Sequence, residues 1–472
     1  MGDIPSFWGR PICRLFVALV LVAVHGVGLA EPALPGTVVT VAQDDSGDLK
    51  GDTGEVIQHA LDRIKTIGGV VLLREGTYRL RRSIDLSGAK NVSLIGGEGV
   101  VLQAAPGTPI EVVADVAVGA TRVNVVDSAG ILPGIRVEFH CKGRTSVTPS
   151  GKEHTQPFVT AVVATVEPQV IVLKAPLKYA IPKGTKLIPI FNGISVRGTA
   201  EGILLRDLVI DMNRDQWPVH PLNHTYHCAV YMGGTFAYET GPTRPPVQRV
   251  RIVNCELRNA LHRGLAWYSV VDSGVYGCTV RNTVEEGLDL DHFCYRCELL
   301  DNTVTDCRNI ELNDASWCTV AGNTIERPSV GIVVWQWCKL PDLNVGNVIS
   351  GNRIIDSRGP GIHLRSQADR NVVMDNDVTG CRGAGIIIEG QQNCVHGNQV
   401  SRCGTSGIEV AGEGNEICRN RCSDNGASKP GRYFGIQVKG ESNVLAANEC
   451  LGAGSSTQAA GIADKGQKTV VR

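Results

Sequence analysis

Two short stretches of this chain concentrate groups that could move protons or hold a cation. Asp289, Asp291 and His292 fall within four positions, and Glu311, Asn313 and Asp314 fall within another four, 22 residues later. Neighbouring carboxylates suit acid–base work, because each charge discourages ionisation of the other and leaves one group holding its proton. The same oxygens could bind Ca²⁺, which takes about six to eight oxygen ligands. The candidates for that ion are Asp289, Asp291 and Glu311. Arg263 stands upstream as a fork-shaped donor for a carboxylate, and Tyr268 adds a weak acid. Trp335 offers a flat face on which a sugar ring can stack, and His363 and Arg365 follow it. Taken singly, each of these residues reads most simply as a solvated outward group. Their combination points to a site.

A repeat of about 22 residues must position them. Its first mark is an asparagine, at Asn259, Asn282, Asn302, Asn323, Asn352, Asn376, Asn398, Asn420 and Asn448. Its second mark is a small residue before an aliphatic, as in Gly264-Leu265, Gly287-Leu288, Asn309-Ile310, Gly331-Ile332, Gly361-Ile362 and Gly385-Ile386. After the glycine, aliphatic residues alternate with others, so alternate side chains share one face of a strand. No convincing helix interrupts the units, and the reading is therefore all-β: one coil of a parallel β-helix per repeat. The asparagines are expected to hydrogen-bond amide to amide along the axis. The glycines are expected to turn the corner with a positive φ, with Asn309 as the next best residue there.

That register stacks equivalent positions on adjacent coils. One outward row reads Ala266, Asp289, Glu311, Val333, His363, Ile387, Glu409 and Gln437. The next reads Tyr268, Asp291, Asn313, Trp335, Arg365, Glu389, Ala411 and Lys439. The acids thus gather on one sheet face, expected to lie open to solvent.

The rest of the chain divides readily. Residues 1–30 read as a secretory leader, with Arg10 and Arg14 before an apolar run and small residues at Gly28 and Ala30. That run is short for a membrane span, so an exported protein is expected. Residues 37–108 read as a capping helix from about Thr53, headed by Asp52 or Thr53, followed by the first coils. Residues 109–190 lose the register and read as a small inserted β subdomain, and residues 191–472 as the coils proper. A loop insertion at 213–245 carries His220, His224 and His227, which could approach a metal, though no regular element sets their geometry. Asp211, Asn213 and Arg214 read as the corner that opens this loop. The formal net charge of −1 gives no footprint for nucleic acid. Of the 16 cysteines, several keep the repeat register, which suits an interior stack; Cys381 and Cys403 should lie on neighbouring coils, as thiols or as a disulfide. Cys294 and Cys297 form a lone CxxC without a second pair at metal spacing.

Several motifs carry a resemblance. The helix near Thr53, the run Gly68-Gly69-Val70-Val71-Leu72-Leu73, Glu75-Gly76-Thr77-Tyr78 and Asn91-Val92-Ser93-Leu94-Ile95-Gly96-Gly97 resemble the N-terminal segment of pectate-lyase-like right-handed β-helix proteins. The repeats resemble the same superfamily, and the two regions together cover most of the chain beyond the leader. Polygalacturonases carry an Asp pair with an Asp one coil before and His-Gly one coil after. This chain has Glu285-Glu286 at the pair but Arg263 and Arg308-Asn309 at the flanks, which argues against that family. Gly287-Leu288-Asp289-Leu290-Asp291-His292 is similar to the Gly-aromatic-Asp-Pro-His-Glu run of mannuronan C5-epimerases, with the His one place later and no Pro. The superfamily holds lyases, hydrolases and C5-epimerases of uronate polysaccharides as well as non-catalytic surface proteins, and the fold does not choose among them; Arg263 and Arg365 point to an acidic polysaccharide, and the reading adopted is lyase or C5-epimerase chemistry on a uronate polymer. Under it, Arg263 would neutralise the sugar carboxylate, His292 would be the base and Tyr268 the acid. Asp289, Asp291 and Glu311 would bind Ca²⁺ or tune the His, and Trp335, His363, Arg365 and Asn313 would bind substrate. A hydrolase using two of the carboxylates, and a non-catalytic surface or periplasmic accessory protein of the same fold, are the alternatives.

Overall fold

The structure, a computed structural model, describes residues 36–147, 153–451 and 458–471. The leader reading for residues 1–30 lies outside the described residues. The helix α1 (Gly54–Ile64) buries Gly54, Ile57, Ala60, Leu61 and Ile64 against the first coils, covering an end that would otherwise expose the solenoid core. Thr53 stands at its N-cap with an extended backbone, but no side-chain bond caps the helix.

Each later coil contributes one short strand to each of three parallel sheets. In one coil these are Leu288–Leu290, Glu298–Leu300 and Thr303–Thr305, before the chain returns to the first sheet at Ile310–Asn313. One sheet has sixteen strands and the other two have twelve each. Leu288, Leu290, Ile310, Leu312, Ile332 and Val334 point into the coil and are fully buried. Each such side chain contributes about 1.5–3 kcal/mol of burial. No helix among the described residues is long and apolar enough to cross a membrane.

Residues 110–190 leave the solenoid for a six-stranded antiparallel sheet that runs from Ile110–Glu111 to Lys186–Ile190. It has its own core around Val137, Phe139, Val163 and Leu187.

Two features of the corners differ from the sequence reading. None of Gly264, Gly287, Gly331, Gly361, Gly385 or Gly407 has a left-handed φ, and neither does Asn309. The glycines are needed for space. A Cβ at Gly361 would stand 2.7 Å from the carbonyl oxygen of Gly385 on the next coil, and one at Gly407 2.6 Å from that of Gly435. The left-handed turns fall elsewhere, for example at Asn259, Asn282 and Asp306, just after strands of the third sheet.

The asparagine ladder also starts later than the spacing suggested. It runs from Asn302 through Asn323, Asn352, Asn376, Asn398 and Asn420 to Asn448, each Nδ2 donating to the next Oδ1 at 2.9–3.1 Å. The strand register aligns Thr279 with Thr303, so Cys278, not Asn282, is the residue equivalent to Asn302. Asn259 and Asn282 belong to a different corner, where they bond each other. A second ladder, Asn347, Asn371, Asn393, Asn415 and Asn443, turns the opposite corner of the coil. Cys318 heads it, its backbone N–H bonded to Asn347 Oδ1.

Candidate functional site

The acids stand on adjacent strands of one twelve-stranded sheet. Leu265–Tyr268, Leu288–Leu290, Ile310–Asn313 and Ile332–Trp335 lie side by side, in the register Ala266, Asp289, Glu311, Val333. The inward alternates Trp267, Leu290, Leu312 and Val334 fix that register, since a slip of one residue would turn every acid into the core.

The open face expected from the sequence is not found. Asp289 is 0% exposed, and Asp291, Glu311, His292, Tyr268, Asn313 and Arg263 are all buried. The cover comes from two loops. From the insertion at 213–245, Phe236 stacks parallel to Tyr268 at 6.2 Å, and Tyr238 meets His292 edge-on at 5.0 Å. From the other side Cys338, Leu340 and Leu343 join Phe236 around Phe293. The cluster is thus buried beneath these two loops.

Arg263 is central to its electrostatics. Its single Nε hydrogen goes to Glu286 Oε2 at 2.7 Å, while Nη1 donates to the Tyr268 hydroxyl at 3.2 Å and to the His224 carbonyl at 3.3 Å. Arg308 also reaches Glu286, at 3.1 Å. Asp289 Oδ2 is 2.8 Å from Arg263 Nε, yet neither Asp289 oxygen receives a hydrogen bond. The distance therefore overstates this pair: Asp289 feels the charge of the guanidinium but gets none of its directed N–H groups. Burial, and then the charge of Asp291, push the Asp289 carboxyl well above the usual range, against the pull of Arg263. Burial thus favours the protonated form of Asp289. Burial first, then Glu286 and Asp291, raise Glu311 to about 7, while Asn309 donates to its Oε2 at 3.2 Å. Burial and the charge of Asp291 likewise push the Tyr268 phenol well up, so it remains a donor.

His292 is oriented by a residue whose part the sequence did not reveal. Its Nδ1 lies 2.6 Å from Asp314 Oδ2, and a carboxylate can only accept, so Nδ1 carries the proton. Asp314 is itself fixed by the backbone N–H groups of Trp337 at 2.8 Å and Cys338 at 3.0 Å. His292 Nε2 then faces Asp291, at 3.2 Å from Oδ1. Nothing in the local sequence marks residues 337 and 338 as partners of Asp314, since 23 and 24 positions separate them from it.

The remaining predicted residues fall further along the sheet. Trp335 follows Asn313 in register and is half-buried, with the Arg365 guanidinium 5.5 Å above its ring. His363 lies 3.3 Å from Glu389. Asn313 Oδ1 is buried without a partner. The three histidines of the 213–245 loop do not gather. His227 is a fully buried packing residue whose Nδ1 accepts the Leu261 N–H, and burial lowers its pKa to about 3. His224 serves Arg263 through its backbone carbonyl, and His220 is exposed. Asp211 is a structural corner that accepts from Arg258, Asn259 and the backbone of Asn213. Among the described residues, one group of three metal-ligating side chains comes together: His292, Asp314 and Cys338, with ligand atoms within 4.8 Å of one another.

Residues 341–470 match a family model described as a right handed beta helix region. The chain is a right-handed parallel β-helix protein. A second model, described as periplasmic copper-binding protein (NosD), matches residues 245–377 of this β-helix and so spans the acid cluster. No match was found among curated proteins. Among solved structures, the β-helix is similar to the mannuronan C-5 epimerase AlgE6 A-module of Azotobacter vinelandii, at 14% identity over 89% of this chain and 95% of that one, with a TM-score of 0.46. It is similar to the DFA-IIIase of Arthrobacter chlorophenolicus A6, at 12% identity over 88% and 84%, with a TM-score of 0.47. The periplasmic alginate epimerase AlgG is 12% identical over 81% and 77%, with a TM-score of 0.41.

Proposed function

We propose that this β-helix is an exported carbohydrate-active enzyme that abstracts the C5 proton of a uronate in a polysaccharide, as a lyase or a C5-epimerase. The observation that carries this reading is Asp289: a fully buried carboxyl with both oxygens free of hydrogen bonds, its protonated form favoured by burial, beside Arg263, Glu311, Tyr268 and an oriented histidine. An unpartnered acid is expensive to bury, and a ligand group that accepts from it would relieve that cost.

In this reading the sugar carboxylate accepts from Asp289 and from protonated Glu311. Neutral carboxyl donors of this kind stabilise the enolate that forms when C5 loses its proton. Arg263, already paired with Glu286, sets the field around them rather than binding the sugar alone. His292 takes the C5 proton at Nε2 once the substrate parts that nitrogen from Asp291, 3.2 Å away, with Asp314 holding the ring. Tyr268 delivers a proton: to C5 from the opposite face in an epimerase, or to O4 as the C4–O4 bond breaks in a lyase. A Ca²⁺ ion, if used, would draw on Asp289, Asp291 and Glu311 and would compete there with the guanidinium. The purified protein should be assayed on a panel of polyuronates for unsaturated ends and for inversion at C5. Turnover on one of them, lost in His292→Ala, supports the reading; no turnover on any contradicts it.

A specific observation favours a second reading, a non-catalytic periplasmic accessory protein that binds copper. His292, Asp314 and Cys338 lie in the stretch matched by the copper-binding family model. Imidazole and thiolate are donors that suit copper(I), so His292 and Cys338 fit such an ion in type, while the Asp314 carboxylate is a harder donor than copper(I) favours. Binding would displace the proton shared by His292 and Asp314. Copper(I) titration of the wild type and Cys338→Ser separates the readings: tight binding lost in the variant favours the accessory protein.

A further inference from the structure

The coil that follows the acid cluster is longer than its neighbours. Site-sheet strands begin at Ile362, Ile386 and Ile408, 24 and 22 residues apart, but 30 residues separate Ile332 from Ile362. The extra residues form one wall of a cavity of about 820 Å³. Its other wall is built from corners of the next two coils, including Gln367, Arg370 and Gln391. These corners are stacked, with the Arg370 N–H donating to the Gln391 carbonyl at 3.0 Å.

The wall is held open by its own bonds. Gln336 Nε2 donates to the carbonyls of Cys338 at 2.6 Å and Leu340 at 2.8 Å. Asp314 grips the backbone N–H groups of Trp337 and Cys338. Leu340 and Leu343 are anchored on Phe293. This rigidity leaves Trp337, a large apolar ring, 44% exposed at the cavity. Lys339 brings positive charge, Arg370 is paired with the lining Asp342 at 2.6 Å, Asp369 adds a second acid, and Gln367 and Gln391 bring amides.

We propose that this cavity is a saccharide-binding subsite, separate from the acid cluster, that takes an acidic sugar unit of the polymer. Its ligand class rests on the function proposed above. An aromatic face suits the apolar side of a pyranose, amides suit its hydroxyls, and a cation suits its carboxylate. The volume is that of a small-molecule site. The subsite shares its wall with the acid cluster, since Trp337 is bonded to the carboxylate that orients His292.

Isothermal titration with defined oligouronates of increasing length, on the full chain, tests this. Affinity should rise with length in the wild type. Trp337→Ala and Lys339→Ala should each weaken the longer oligomers by roughly tenfold, about 1.4 kcal/mol, and leave the melting temperature unchanged. Trp337→Phe should restore most of the affinity. Weakened binding in Trp337→Ala without turnover in any protein would sink the enzyme reading and leave the subsite standing. Equal affinity in the wild type, Trp337→Ala and Lys339→Ala, or no binding of any oligouronate, overturns the subsite.

Discussion

At the scale of single residues, the site is defined by too many acids for the cations available. Glu286 takes the directed hydrogen of Arg263, and burial shifts Asp289 and Glu311 toward their protonated forms. Burial lifts Glu311 from 4.5 to about 7, so between those values the native state binds more protons than the unfolded chain. Stability should therefore fall as the pH rises through that window, by up to about 3 kcal/mol from this group. Glu311→Gln should flatten that part of the stability–pH curve, measured by denaturant unfolding from roughly pH 5 to roughly pH 8. An unchanged curve would place the titration of Glu311 elsewhere. The types and spacing of these acids were legible in the sequence, because strand alternation puts residues 289 and 311 on one row. Their burial was not. It depends on Phe236, Tyr238 and residues 338–343, whose approach no periodicity encodes.

At the scale of elements, the inserted sheet has a visible task. Glu138, fully buried on its strand Arg136–Phe139, accepts the backbone N–H groups of Leu222 at 2.8 Å and Asn223 at 3.0 Å, with His140 Nε2 also 2.8 Å away. The clamped loop then lays the Pro221 carbonyl on His262 and the His224 carbonyl on Arg263. Glu138→Ala should cost about 2–4 kcal/mol by orphaning two amides, and should speed hydrogen exchange at Leu222 and Asn223 before it affects the coils. Exchange rates equal to wild type at those amides would show that the clamp is not needed. The corners teach a related point. Cys278 occupies the ladder position of Asn302, and Cys318 heads the ladder of Asn347, because both residue types are small enough to be buried there. Sequence spacing alone assigned Asn259 and Asn282 to the wrong corner, since two corners of each coil offer an asparagine at similar intervals. Cys381 and Cys403 are stacked thiols, each two residues beyond the paired Thr379 and Ser401. Peptide mapping of the denatured, unreduced protein should find both alkylated; a linked Cys381–Cys403 peptide would contradict this.

At the scale of the whole molecule, the solenoid turns a linear repeat into a continuous sheet, and the departures from the repeat build the site. The fold was legible because every coil repeats the same alternation and the same close approach at its glycine. The first face-forming strands, the helix α1 over the end of the stack and the parallel register follow from that pattern. The loops at 213–245 and beyond Gln336 do not repeat, and they converge on the one stretch of sheet where the acids are dense. Coils further on carry an ordinary polar face, with Glu409 and Gln437 in the same row as Asp289.

The central claim is that Asp289 acts as a neutral acid on a uronate carboxylate. It is tested most directly by incubating the protein with a uronate oligosaccharide in deuterated water and following deuterium at C5 by NMR. Asp289→Asn keeps the shape and neutrality of the side chain but cannot donate an acid proton, so its melting temperature should match or slightly exceed that of the wild type. The account predicts, with the wild type, deuterium at C5 if the enzyme epimerises, or C4=C5 unsaturated ends lacking the C5 hydrogen if it is a lyase, and a loss of at least about a hundredfold in either rate with Asp289→Asn. Exchange at the wild-type rate in a folded Asp289→Asn protein would contradict it.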